Sequence, residues 1–173
     1  MLDIGEHSLN GREHKCLFRN NGDGTFTDVA HVNGVDRTED GRGLSLFDFD
    51  GDGQVDILVR NYRQPAQLLR NTGGPQHWLA FKLVGTKSNR DAVGARVILT
   101  AGGRRQMREV TCGSGYLSNQ SLVQHFGLGE ATEAEEVEVH WPSGAATLLL
   151  HVSGDRLVQI DEGVGAPDGG TGF

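Results

Sequence analysis

The chain of 173 residues has only two cysteines, Cys16 and Cys112, too few for the disulfide framework that staples small secreted domains. They can pair only in an oxidising compartment and only if their Cα atoms lie within about 7 Å; free, buried thiols are the expectation. No Cys/His spacing resembles a zinc site, and the seven histidines are scattered. His140 and His151 fall in strand-like segments, where a packed or surface role is expected. Basic charge is scarce: 16 Lys and Arg against 23 Asp and Glu leave a net charge of -7. That balance argues against nucleic acid as a partner, because phosphate backbones are gripped by basic patches. No apolar run approaches the roughly 20 residues of a membrane-spanning helix. Residues 1–7 have neither the basic start nor the apolar core of a signal peptide. The chain as written is therefore expected to be soluble and to carry no export signal. Helical periodicity is also missing. With 26 glycines between short apolar segments, the class expected is all-β.

One stretch is dense in chemistry. Residues 48–56 read Asp-Phe-Asp-Gly-Asp-Gly-Gln-Val-Asp, four carboxylates at alternating and terminal positions of one glycine-bent loop. Ca²⁺ is a hard cation that takes about six to eight oxygens at roughly 2.3–2.6 Å. Asp48, Asp50 and Asp52 would point inward, Gly51 and Gly53 would permit the curl, the Gln54 carbonyl would face the ion, and Asp56 would close the shell. Four such charges without a cation would repel one another. An EF-hand is excluded, since its loop ends on a bidentate Glu at the twelfth position and here that position is Val59. The flanks, residues 43–47 and 55–60, are β-branched or aromatic and lack helix caps. The loop is expected to join two strands. The competing reading is a plain hairpin turn, for which Asp-Gly is ordinary vocabulary.

Residues 17–29 read as a hairpin with Asn-Gly and Asp-Gly turn chemistry. Aligned on Gly-Asp-Gly, Arg19 stands where Asp48 does and Thr27 where Asp56 does, so this second loop is read as a turn and not as a metal site. Its opening phrase, Leu17-Phe18-Arg19-Asn20, returns as Leu68-Leu69-Arg70-Asn71, an internal repeat of about fifty residues. Together these three phrases resemble the FG-GAP/VCBS repeat of integrin-type β-propellers. The resemblance implies that the Asp-rich loop holds Ca²⁺ within a blade, through Asp48, Asp50, Asp52, Gln54 (by its carbonyl) and Asp56. It assigns nothing to Asp23. One repeat and the trailing hairpin of another cannot close a propeller, which takes typically four to eight blades. The open blade is expected to be covered by the following domain, by another copy of the chain, or by further blades, because bare strand edges invite pairing.

After residues 73–75 (Gly-Gly-Pro) the texture changes. Leu79, Phe81 and Leu83 share one face of a strand, as do Ala95, Val97 and Leu99 of the next. Further short strands are expected near 106–110, 122–126, 136–141, 146–152 and 157–160, with Val137, Val139 and Trp141 facing the core. Seven or so strands with regular turns indicate a small β-sandwich. The architecture expected is thus a propeller-blade-like antiparallel sheet with a calcium loop over 1–74, a β-sandwich over 75–163, and a disordered tail over 164–173. In the second half, residues 85–97, 108–110, 113–117, 125–129 (His-Phe-Gly-Leu-Gly) and 137–144 (Val-Glu-Val-His-Trp-Pro-Ser-Gly) resemble the ASPIC/UnbV domain.

The polar loop Lys87 to Asp91 offers Arg90 and Asp91 as ligand-gripping groups, though pairing with neighbouring charges is favoured. Ser114, in Gly-Ser-Gly, lacks the Gly-x-Ser-x-Gly spacing of a nucleophile elbow. Glu130, Glu133, Glu135, Glu136 and Glu138 read as a solvated face. No catalytic constellation is visible, and no catalytic or organic-cofactor residue is assigned. The leading functional expectation is a noncatalytic, calcium-stabilised binding or adhesion module, part of a longer protein, with a protein or glycan partner. The domain pairing implies a secreted protein. The alternatives are an accessory role in enediyne-like natural product biosynthesis, implied by the ASPIC/UnbV resemblance alone, and a structural cap on a larger propeller.

Overall fold

The computed structural model describes residues 13–74, 76–116 and 118–164. The expected tail lies, apart from Val164, outside the described residues, as do residues 1–7. The class is all-β, with no helix among the described residues. Among the described residues, twelve strands form four sheets.

The first half holds two of them. Strands β1 (Phe18–Asn20) and β2 (Phe26–Asp28) form the predicted hairpin, with Phe18 opposite Asp28. Strands β3 (Gly41–Phe47), β4 (Asp56–Asn61) and β5 (Gln67–Leu69) form an antiparallel meander in which Phe47 faces Asp56. The acidic stretch is therefore the β3–β4 connection, between two strands as its flanks predict. This half buries little. Among its described apolar residues only Ala30 and Val59 are fully buried, while Phe18 and Phe26 are each 61% exposed.

The second half is a two-layer sandwich. One sheet runs β11 (Ala146–Ser153), β10 (Glu133–His140), β7 (Arg96–Ala101), β8 (Arg104–Glu109). The other runs β12 (Arg156–Asp161), β6 (His77–Val84), β9 (Gln124–Gly129). Leu79, Phe81 and Leu83 from β6 meet Val97, Leu99, Val137 and Val139 from the facing sheet, with Phe126 and Ile160 completing the layer. Alternation puts these side chains on one face because successive strand residues point to opposite sides. Trp141 is 3% exposed, and its indole N–H donates to Thr147 Oγ1 at 2.9 Å, so the polar end of a buried aromatic is satisfied. Gly102 and Gly103, both at positive φ (53° and 72°), make the two-residue β7–β8 turn that matches strand twist. One pairing departs from an antiparallel sandwich: β12 runs parallel to β6, with Leu157 opposite Ala80.

The two halves touch through hydrogen bonds as well as packing. Edge strand β3 is capped by one side chain from the sandwich: Leu46 N–H donates to Gln120 Oε1 at 2.7 Å, and Gln120 Nε2 donates to the Leu44 carbonyl at 3.1 Å. The amide of Gln120 substitutes for a neighbouring strand's peptide group and blunts the open edge. Ser45 Oγ adds a bond to the Asn119 carbonyl at 2.7 Å.

The cysteines are free, as expected, but both are exposed, not buried. Cys16 enters a two-stranded hairpin that has no covering layer, and Cys112 lies in the β8–β9 connection, so neither backbone position faces a core. A hydrogen bond to the Asp28 carboxylate raises the Cys16 pKa and holds the thiol protonated.

Candidate metal site

The β3–β4 loop folds on its own carboxylates. Gly51 N–H donates to Asp48 Oδ1 at 2.8 Å and Gly53 N–H to Asp48 Oδ2 at 2.9 Å, so Asp48 sits inside the curl as its hub. Both glycines have positive φ (76° and 83°), a region that a side chain disfavours. Asp56 closes the loop from the first position of β4. It is 1% exposed, accepting from Phe49 N–H at 3.0 Å and from Asn71 N–H at 2.7 Å. The result brings ligand atoms of Asp48, Asp50 and Asp56 within 4.8 Å of one another. Three hard oxygen donors at that separation, one of them buried, suit a hard divalent cation, since each carboxylate oxygen keeps a second lone-pair direction beside its hydrogen bond.

Of the other two predicted ligands, Asp52 is placed less centrally. Asp52 lies outside the triplet: its Oδ1 accepts from Gln54 N–H at 2.8 Å and its Oδ2 faces Arg70 Nη2 at 3.4 Å. The Gln54 side chain reaches away to donate to the Gly73 carbonyl at 3.1 Å. Arg70 is the residue that sequence reasoning missed as part of this site. Its Nη2 meets Asp50 Oδ2 at 2.5 Å, so a guanidinium supplies positive charge to the acidic loop. The signal is present in the repeated Leu-x-Arg-Asn phrase, whose arginine at position 70 the fold uses for charge compensation.

The loop rests on the sandwich through Gly53. A Cβ there would fall 1.9 Å from the Trp78 indole nitrogen, so only glycine permits this approach. Trp78 stacks on His125 with ring centroids 5.4 Å apart, and His125 Nε2 lies 2.7 Å from the Gly53 carbonyl. A carbonyl only accepts, so Nε2 carries the proton. Burial lowers the His125 pKa below its ordinary 6.5; the Gly53 carbonyl and the Asp48 charge oppose that shift without cancelling it. The imidazole is thus neutral at physiological pH, a neutral strut between loop and sandwich.

The remaining candidates resolve individually. The loop Lys87 to Asp91 is occupied from within. Thr86, Lys87 and Ser88 N–H groups all donate to Glu162 Oε2 at 2.7–2.8 Å, and Ser88 Oγ (2.9 Å) and Ser143 Oγ (2.5 Å) donate to Oε1. Burial alone would raise the pKa of this 2% exposed carboxyl, but five donors outweigh it and lower the value from 4.5 to about 2. Arg90 and Asp91 are exposed and make no ion pair among the described residues. Ser114 Oγ is buried without a hydrogen-bond partner among the described residues, so no base contacts it. In the acidic stretch after β9, Glu133 pairs with His151 at 3.1 Å and Glu138 with His140 at 3.0 Å, while Glu135 accepts from Gly102 N–H. Those carboxylates are each engaged with a different neighbour and do not converge.

Residues 85–167 match the family model described as ASPIC and UnbV, and residues 8–59 match an FG-GAP-like repeat. The chain joins an FG-GAP-like repeat to an ASPIC/UnbV-like segment. Cartilage acidic protein 1 of Homo sapiens is 34% identical over 149 residues, which is 83% of this chain and 22% of that relative. Its counterpart in Xenopus tropicalis is 40% identical over 124 residues, 67% of this chain and 19% of the relative. The Mus musculus protein is 34% identical over 138 residues, covering 77% and 21%. The chain thus spans about a fifth of the length of the curated relatives it matches. No helix among the described residues is long and apolar enough to cross a membrane, which leaves β-barrel insertion unaddressed.

Proposed function

We propose that this chain is a noncatalytic, calcium-stabilised binding module of a secreted protein. The observation that carries the reading is the convergence of Asp48, Asp50 and Asp56 oxygens within 4.8 Å in the loop of an FG-GAP-like repeat. The ion, when bound, supplies charge neutralisation and cross-links the two ends of the β3–β4 loop. The protein's own residues do the rest: Asp48 curls the loop, Asp56 anchors it to β4, and Gly53 docks it on Trp78 and His125. Asp52 and the Gln54 carbonyl would complete the ligand set around the ion. A binding role fits a chain whose polar loops are engaged in holding strands and whose histidines, among the described residues, are paired or buried. The secreted location is supported by the likeness to cartilage acidic protein 1 and by the domain pairing. The partner is a protein or a glycan.

If only the folded state binds, calcium at a hundredfold excess over Kd stabilises it by about 2.7 kcal/mol. The test is thermal unfolding in Ca²⁺ and in chelator. A higher melting temperature in Ca²⁺ is the expected result; indifference to both would sink the reading.

A second reading has its own observation. Leu44, Leu46, Phe49 and Leu68 on or beside the three-stranded sheet are all at least 40% exposed, with Phe18 and Phe26 nearby in sequence. Such a surface suits coverage by further blades or by a second copy of the chain. In that case the segment caps a larger propeller, and the isolated chain self-associates in sedimentation, whereas a strictly monomeric chain speaks against it.

A further inference from the structure

A cleft of about 830 Å³ lies between the β3–β4 loop and the outer face of the β12–β6–β9 sheet. Its floor is a row set by strand register, Leu157 opposite Ala80 and Ala80 opposite His125, with Leu46 and Phe47 contributing from β3. That volume lies within the range of about 300–1,000 Å³ typical of small-ligand sites.

The cleft's charges are unequally committed. Three carboxylates line it, and each has a partner. Asp48 holds the loop amides, Glu109 pairs with Arg96 at 3.6 Å, and Asp155 pairs with His77 at 2.7 Å. Two guanidiniums line it too. Arg108 gives Nε to the His125 carbonyl at 3.0 Å and lies over the Phe126 ring at 5.6 Å, and Arg156 spends only Nε, on the Ser153 carbonyl at 3.1 Å. Among the described residues, the terminal nitrogens of both have no hydrogen bond and no carboxylate. In a chain of net charge -7, leaving two arginines without acidic partners beside one cleft is a poor outcome for the free protein and a good one for an anion. They stand at opposite ends of the floor, Arg156 on β12 and Arg108 on β8 beyond β9.

From this juxtaposition we propose that the cleft binds a small organic anion, a carboxylate or sulfate carried on an apolar body, with Arg108 and Arg156 gripping the charged groups. The apolar floor takes the body and the guanidinium forks take the oxygens bidentately. This goes beyond the binding-module reading by adding a small-molecule site to a module whose partner is a protein or a glycan, and it does not require the calcium ion.

The test uses the full chain and the fluorescent probe 8-anilinonaphthalene-1-sulfonate, which carries a sulfonate on an apolar body. Titrations run in both Ca²⁺ and chelator, and the expectation is the same in each, so failure of the calcium reading leaves this one standing. Saturable binding is expected, weakened at least tenfold in Arg108→Gln/Arg156→Gln and largely retained in Arg108→Lys/Arg156→Lys. A Leu148→Ser/Leu150→Ser variant, which removes exposed apolar surface on β11 away from the cleft, should leave affinity unchanged. On the unmutated chain, laurate should displace the probe, and dodecyltrimethylammonium at equal concentration should not. Unchanged affinity in the glutamine variant, loss of affinity in the β11 variant, or displacement by the cation as readily as by laurate would each overturn the proposal.

Discussion

The two halves of this chain solve the burial problem in opposite ways. Residues from 77 onward close a hydrophobic layer between two sheets, with Phe81, Phe126, Leu79 and Leu99 all at 0% exposure. Residues 13–74 have sheets of two and three strands and almost no interior. A three-stranded meander has two faces and nothing in its own sequence to cover both, so its order must come from elsewhere. Here it comes from side-chain devices: Asp48 and Asp56 organising a loop, Gln120 capping β3, and Gly53 seated on Trp78. One half is held by area and the other by a few polar contacts, which predicts different sensitivities to mutation, cation and pH.

The largest expected contrast is between two phenylalanines. Phe81→Ala empties a fully buried site and should cost about 3–5 kcal/mol, whereas Phe18→Ala, at a position 61% exposed, should change stability by less than about 0.5 kcal/mol. Denaturant unfolding of both variants checks it, and equal losses would erase the distinction. Next comes the seam. Gly53→Ala forces a Cβ into the Trp78 ring at a positive φ and should cost at least about 2 kcal/mol. Hydrogen exchange should show that loss as opening of β3 and β4 while β7 and β10 keep their protection.

A smaller effect concerns Arg70. Removing a positive charge beside Asp50 and Asp52 should strengthen calcium binding by about 1 kcal/mol and lower the stability of the ion-free protein. Calorimetry of Arg70→Ala gives both signs, and weaker calcium binding would show that the guanidinium assists the ion. The narrowest effect is in pH. The folded pKa of Glu162, about 2, lies below its ordinary 4.5, so its contribution is complete above about 4.5 and disappears as pH falls toward 2. Acid unfolding of the sandwich should therefore fall in that window, and Glu162→Gln should flatten the dependence there. An acid transition identical in both proteins would place the sensitive carboxylate elsewhere.

Much of this was legible in the sequence for a physical reason. Alternation of Leu79, Phe81 and Leu83, or of Val137, Val139 and Trp141, is a local pattern that only a half-buried strand satisfies. The acidic loop was equally legible because its spacing and its glycines serve one geometry. What stayed hidden depends on residues far apart in the chain. Nothing near Glu162 announces that the amides of 86–88 would wrap it, 74 to 76 residues away. The Lys87 to Asp91 loop looked like a place to bind a ligand, and its amides already hold a carboxylate of the same chain. Likewise Gln120 reads as one more polar loop residue until β3 presents its edge. The parallel β12–β6 pairing could not be read either, because strand direction leaves no mark on side-chain alternation.

The central claim is that the Asp48 to Asp56 loop holds calcium, and isothermal titration of Ca²⁺ into the intact chain and into Asp50→Ala/Asp52→Ala tests it most directly. The account predicts one saturable site in the first protein and none in the second. Equal binding by both would put the ion in another loop, and no binding by either would reduce the nine residues to a turn.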